Sequence, residues 1–218
     1  MSSRARAART ALGAAVLFVL TDLVMCHTRI GQQVDNALFS FVLNEIPPGL
    51  RRLLDDLARP YLVLGLGGAA LLLAVRSALR EPKRVAVAAV SLLSVPLAYA
   101  IRTTWTRPDL GVPGYLDNTF PSTHAAAGTA LLLGCLALWP RRLGRAEGWG
   151  AAVVLLVILV GNVAWYAHRP ADVLGSALLA VAVTAFAAAL LAEPLLRLAP
   201  PVGDSPAPAR TGGGANAG

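Results

Sequence analysis

Six apolar stretches divide this chain, at approximately 9–27, 60–79, 84–102, 122–140, 149–167 and 171–192. A helix rising about 1.5 Å per residue needs some 20 such residues to cross roughly 30 Å of hydrocarbon, so each stretch has the length of a membrane span. Hydrophobic residues make up 56% of the chain and charged ones 14%, and most of the charge falls between the stretches. Their richness in Ala and Leu, and the absence of period-two alternation, favour helices over strands. The expected fold is all-α, a polytopic bundle of six transmembrane helices in one domain, residues 1–198.

The segments between the spans set an orientation. Arg4, Arg6, Arg9, Arg76, Arg80, Lys83, Arg84, Arg141, Arg142, Arg145, Arg197 and Arg210 fall on one side. Arg29, Arg51, Arg52, Arg59, Arg102, Arg107 and Arg169 fall on the other, where acids match them. The positive-inside rule makes the first side cytoplasmic, with both termini inside. The net charge of +7 then needs no nucleic acid, because arginines facing anionic membrane lipids account for it. Arg4, Arg6 and Arg9 precede an apolar run, as in a signal peptide, but Asp22 interrupts the run and no small-residue cleavage site follows, so an uncleaved first helix is expected. Cys26 and Cys135 are too far apart in depth to pair. Residues 28–59 are too polar to span and carry an amphipathic pattern, which predicts one or two short helices on the outer surface. Residues 199–218, rich in Pro, Gly and Ala, are expected to form a disordered cytoplasmic tail.

Polar residues that a lipid-embedded bundle does not need gather in three places, "IRTTWTRP" at 101–108, "FPSTH" at 120–124 and "AHRPAD" at 167–172. All three lie at the outer ends of predicted helices. Arg107 offers a planar, permanently charged fork suited to phosphate or carboxylate. Ser122 and the N–H groups after it open the fourth span, where free donors and the helix dipole favour an anion. His124 and His168 change charge near neutral pH, and Asp172, four residues after His168, is spaced to reach its imidazole. An anion cradle, two histidines and an orienting acid together describe phosphoryl transfer by nucleophilic catalysis. Each piece also has a purely structural reading: Ser122 as a helix N-cap, Asp172 as a capping residue at the third helical position with Pro170 at the first, and Arg102 and Arg107 as snorkelling side chains.

Taken in order, Arg107-Pro108, Pro121-Ser122-Thr123-His124, and His168 followed by Asp172 resemble the three-part signature of the type 2 phosphatidic acid phosphatase (PAP2) superfamily, over roughly residues 100–172. The resemblance implies a six-helix bacterial membrane type with a PAP2/haloperoxidase-like core. It also implies a lipid phosphatase acting at the outer face of the cell membrane on a lipid phosphate or polyprenyl pyrophosphate. His168 would attack phosphorus and form a phosphohistidine, Asp172 would hold its ring, and His124 would protonate the leaving oxygen and then activate water. Arg107, Ser122 and Thr123 would hold the phosphate, without cofactor or metal. The chain departs from the signature at three positions: Ala100 replaces its lysine, Asn162 its second arginine (after Gly161 in place of serine), and Thr123 its glycine. Asn162 keeps a neutral donor, and Arg169 and Arg102 are candidates to replace the missing charge, Arg102 only if its helix has ended by that point. The alternative is an attenuated PAP2-like protein that binds lipid phosphate with little turnover. A transporter ranks behind both, because the polar cluster is interfacial and not at mid-bilayer.

Overall fold

The computed structural model describes residues 2–112, 118–164 and 168–192. The expected tail at 199–218 lies outside the described residues, as does the boundary at 198. Among the described residues the fold is all-α, with no strand. The elements are α1 (Ser3–Thr21), α2 (Arg29–Glu45), α3 (Pro48–Asp56), α4 (Leu62–Ser77), α5 (Pro82–Ser91), α6 (Ser94–Thr104), α7 (Thr123–Leu138), α8 (Arg145–Ala164) and α9 (Pro170–Leu190). A π turn, Asp22–Cys26, extends α1, and a second, Leu57–Tyr61, joins α3 to α4. Five helical runs are long and apolar enough to cross a membrane: Ser3–Cys26, Pro48–Ser77, Pro82–Thr104, Arg145–Ala164 and Pro170–Leu190; Thr123–Leu138 is apolar but shorter.

The packing turns on α7 and α9. Helix α7 touches α4, α5, α6, α8 and α9, and most of its length is buried. Helix α9 is lined with alanines, several of them fully buried, and lies along α1, whose buried stripe is Ala7, Ala11, Ala14, Phe18 and Thr21. Small residues let the two backbones approach closely, which is how helices associate where lipid removes the hydrophobic drive. Large side chains point the other way. Leu64, Leu71, Leu72 and Val75 of α4 and Phe186 of α9 are exposed, as lipid-facing residues are in a bundle of this kind.

Two prolines shape the spans. The stretch expected as one helix over 84–102 is two, α5 and α6, joined at Leu92–Leu93. Pro96 lacks an N–H and its ring crowds the carbonyl four residues back, that of Leu92. There the chain tightens to bonds three residues apart: Leu92 N–H to the Ala89 carbonyl, Leu93 to Val90 and Val95 to Leu92. Pro60 acts similarly on Asp56, and a π turn absorbs the misfit, closed by the Leu62 N–H on the Leu57 carbonyl.

The polar segment 28–59 differs most from expectation. It holds two helices, α2 and α3, but α3 runs through the π turn into α4 and is not a separate surface helix. Both turn their polar faces inward. Gln32 and Asp35 of α2 are fully buried, while Ile30, Val34, Leu38 and Phe41 form an exposed stripe. On α3, Arg51 is buried while Leu50 and Leu53 are exposed. Amphipathicity therefore faces polar groups toward the other helices and apolar groups toward lipid. Close contacts fix both helices. A Cβ on Gly31 would lie 1.9 Å from the Val24 carbonyl oxygen, and one on Gly161 of α8 would lie 2.3 Å from the Leu54 carbonyl oxygen and 2.5 Å from Ala58 Cβ. Only glycine permits either approach.

Candidate active site

The site is built where α7 and α9 begin side by side. Ser122 caps α7, its hydroxyl accepting from the Ala125 N–H at 3.3 Å. Its own N–H donates to the Asp172 carbonyl at 3.2 Å, and its carbonyl accepts from the Ser176 hydroxyl at 2.7 Å. Phe120 packs against Gly175, where a Cβ would come within 2.3 Å of its ring. Two helix N-termini are thus locked together, with their positive dipole ends side by side. At α9, Pro170 occupies the first turn and Asp172 Oδ2 accepts from the Arg169 N–H at 2.9 Å. Asp35 of α2 reaches across to accept from the Ala171 N–H at 2.8 Å.

His168 stands just before α9 and is buried. Its Nδ1 is 3.7 Å from Asp172 Oδ2, inside ion-pair range but too long for a hydrogen bond, and it has no other hydrogen-bond partner. With Nδ1 turned toward the carboxylate, Nε2 on the opposite side of the ring is the atom left for chemistry. His124, in the first turn of α7, is exposed and feels the charges of Arg59, Arg102 and Asp55.

Asp172 is fully buried and is the hub of the site. Arg107 Nη2 donates to its Oδ1 at 2.6 Å, and the Thr119 hydroxyl to its Oδ2 at 2.5 Å. Arg107 also donates to Cys26 Sγ at 3.0 Å and to the Thr119 hydroxyl at 3.4 Å. Burial works against the guanidinium's charge, but the Asp172 carboxylate, and Cys26 after it, outweigh that and hold its pKa above the ordinary arginine value. Gln32 Nε2 ties this corner together by donating to the carbonyls of Cys26 at 2.8 Å and Pro108 at 2.9 Å. Cys26 and Cys135 are both free thiols. Arg107 is therefore spent on the acid that faces His168, and an open polar cleft of about 590 Å³ beside it is bordered by Arg102, Arg107, Asn118 and Thr119.

The remaining candidates fall differently. Arg102 donates to the Asn118 carbonyl at 3.4 Å and borders the cleft although α6 continues to Thr104, which removes the expectation that it serves only beyond the helix end. Ala100 is exposed, on another side of α6. Asn162 is fully buried near the end of α8; its Nδ2 donates to the Ile158 carbonyl at 2.8 Å and its Oδ1 has no partner. Arg169 is turned onto α2, with Nη1 2.5 Å from Asn36 Oδ1 and its guanidinium 4.2 Å over the Phe39 ring. Thr123, the first residue of α7, is half-buried. Among the described residues no group of three or more His, Cys, Asp or Glu is disposed to hold a metal ion.

Sequence reasoning missed Thr119, Cys26, Gln32 and Asp35. Only Gln32 and Asp35 carried a signal, as polar residues three apart on one face of an amphipathic helix.

A model of the PAP2 superfamily matches residues 89–194, a region that holds every one of these catalytic candidates. This part of the chain belongs to the PAP2 superfamily. No curated protein and no solved structure matches it. The PAP2 region begins within α5, so α1 to α4, with Gln32, Asp35 and the whole of α3, lie outside it.

Proposed function

We propose that this PAP2 protein is a membrane lipid phosphatase that cleaves a lipid phosphate or polyprenyl pyrophosphate at the outer face through a phosphohistidine. The observation that carries this reading is the convergence of His168, its acid Asp172 and His124 on the joined starts of α7 and α9. In the first step His168 Nε2 attacks phosphorus while the P–O bond to the lipid breaks, and His124 gives its proton to the departing oxygen. In the second, His124 takes a proton from water, which attacks phosphorus and breaks the N–P bond. Asp172 supports the positive charge that His168 gains. Helix N-termini and nearby arginines hold the non-bridging oxygens, which carry more charge in the transition state than before it. The lipid tail stays among exposed apolar residues such as Leu23 and Val24 while the head group meets the polar cluster.

The test is phosphate release by the purified protein from a panel of lipid phosphates and pyrophosphates. Release that is abolished in His168→Asn and unchanged by EDTA supports the reading; release that survives His168→Asn refutes it. A second reading, a lipid-phosphate binder with little turnover, is favoured by Ala100 facing away, Asn162 being neutral and Arg107 being held by Asp172. Binding without release from every substrate of the panel would select it.

A further inference from the structure

The inward face of α3 and its π turn carries charge to the site from outside the PAP2 region. Ala58 is fully buried at the place where Gly161 comes close, one residue before Asn162. Arg59 follows Ala58 on the π turn that packs on α8 and touches α7. Its Nε lies 3.0 Å from Asp55 Oδ1, one helical turn earlier, but off the hydrogen-bonding direction. Nε and Nη2 of Arg59 are both buried and have no acceptor. Asn162 Oδ1, beside the same contact, is buried and has no donor. Buried guanidinium donors without acceptors are costly, and an anion entering the site would satisfy them. Arg59 also exerts the largest Coulombic effect on His124, ahead of His168 and Arg102.

We infer that Arg59 is the phosphate-binding cation that stands in for the charges absent at Ala100 and Asn162, with Asp55 as the carboxylate that positions it. This rests on the phosphatase reading above. Arg169 does not fill the role, since Asn36 and Phe39 hold it on α2. The close approach at Gly161 has a chemical result: where the signature has serine and arginine, this chain has glycine and a short amide, and the space lets α3 bring its own arginine in.

Three variants test this in the full-length protein in detergent: Arg59→Gln, Arg59→Lys and the double Asp55→Asn/Arg59→Gln. The double variant leaves no unpaired charge, so a merely structural ion pair would be recovered there. Arg59→Gln is expected to lower kcat about a hundredfold or more, the effect of removing one oxyanion donor. Arg59→Lys is expected to keep part of that rate, and the double variant to melt like wild type yet stay slow. Inhibition by inorganic phosphate should weaken about tenfold or more in Arg59→Gln and in the double variant, the loss that one charge-assisted contact predicts. Wild-type turnover and phosphate inhibition in the double variant would overturn the inference. If wild type releases phosphate from no substrate, the phosphatase reading fails, and titration with inorganic phosphate decides for Arg59. Binding by wild type but not by Arg59→Gln upholds it; equal binding, or none by either, overturns it.

Discussion

At the level of single residues the site depends on one buried carboxylate. Asp172 accepts from Arg107, Thr119 and the Arg169 N–H and faces His168, so it caps a helix, closes an ion pair and stands beside the proposed nucleophile at once. Removing one partner of a fully buried pair strands the other charge. Arg107→Ala is therefore expected to cost about 3–5 kcal/mol of stability, measured by thermal unfolding in detergent. An unchanged melting temperature would contradict the pairing. Arg169→Ala should leave inhibition by inorganic phosphate as it is, because its guanidinium is engaged by α2; weakened inhibition would return Arg169 to the phosphate site. The capping roles of Ser122 and Asp172 were legible in the sequence, because a cap is a rule over three or four neighbouring residues. The Arg107–Asp172 pair was not, since its partners are 65 positions apart. Arg169 was named for standing next to His168, which says nothing about which way a side chain turns; its guanidinium lies on Asn36 and Phe39 of α2.

Among the helices, α2 and α3 changed most between expectation and structure. Their amphipathic pattern was plain, but periodicity does not say which face meets what. In water the apolar face turns inward; here Ile30, Val34, Leu38 and Phe41 turn outward and Gln32 and Asp35 turn in. Pro60 and Pro96 were visible signals of irregular backbone, yet the choice between a π turn and a tightened break depends on what packs alongside. The docking of α3 depends on Gly161. Gly161→Ala would push a methyl into the Leu54 carbonyl and Ala58, at a cost of about 1–3 kcal/mol from overpacking. Activity should fall with it as α3 shifts from α8. A variant with wild-type stability and turnover would show that this contact does not hold the site.

Over the whole molecule, span length and apolarity were enough to indicate a polytopic helical bundle, because the bilayer imposes one dimension on every crossing. The polar clusters pointed to one end of the bundle, and Arg107, Ser122 and Asp172 from the three of them do meet there. Sidedness is tested by cysteine labelling. The native thiols Cys26 and Cys135 are buried, so background is low. A cysteine at Thr106 should react with a membrane-impermeant maleimide added outside intact cells, and one at Arg142 only after permeabilisation; the reverse pattern would invert the topology. Trapping a phosphorylated protein tests the proposed chemistry. Wild-type protein mixed with a lipid phosphate labelled on phosphorus, and quenched in alkali within the first turnover, should carry an alkali-stable, acid-labile label on His168 that His168→Asn lacks. Phosphate release with no label on the protein, or a label on any other residue, would contradict the account.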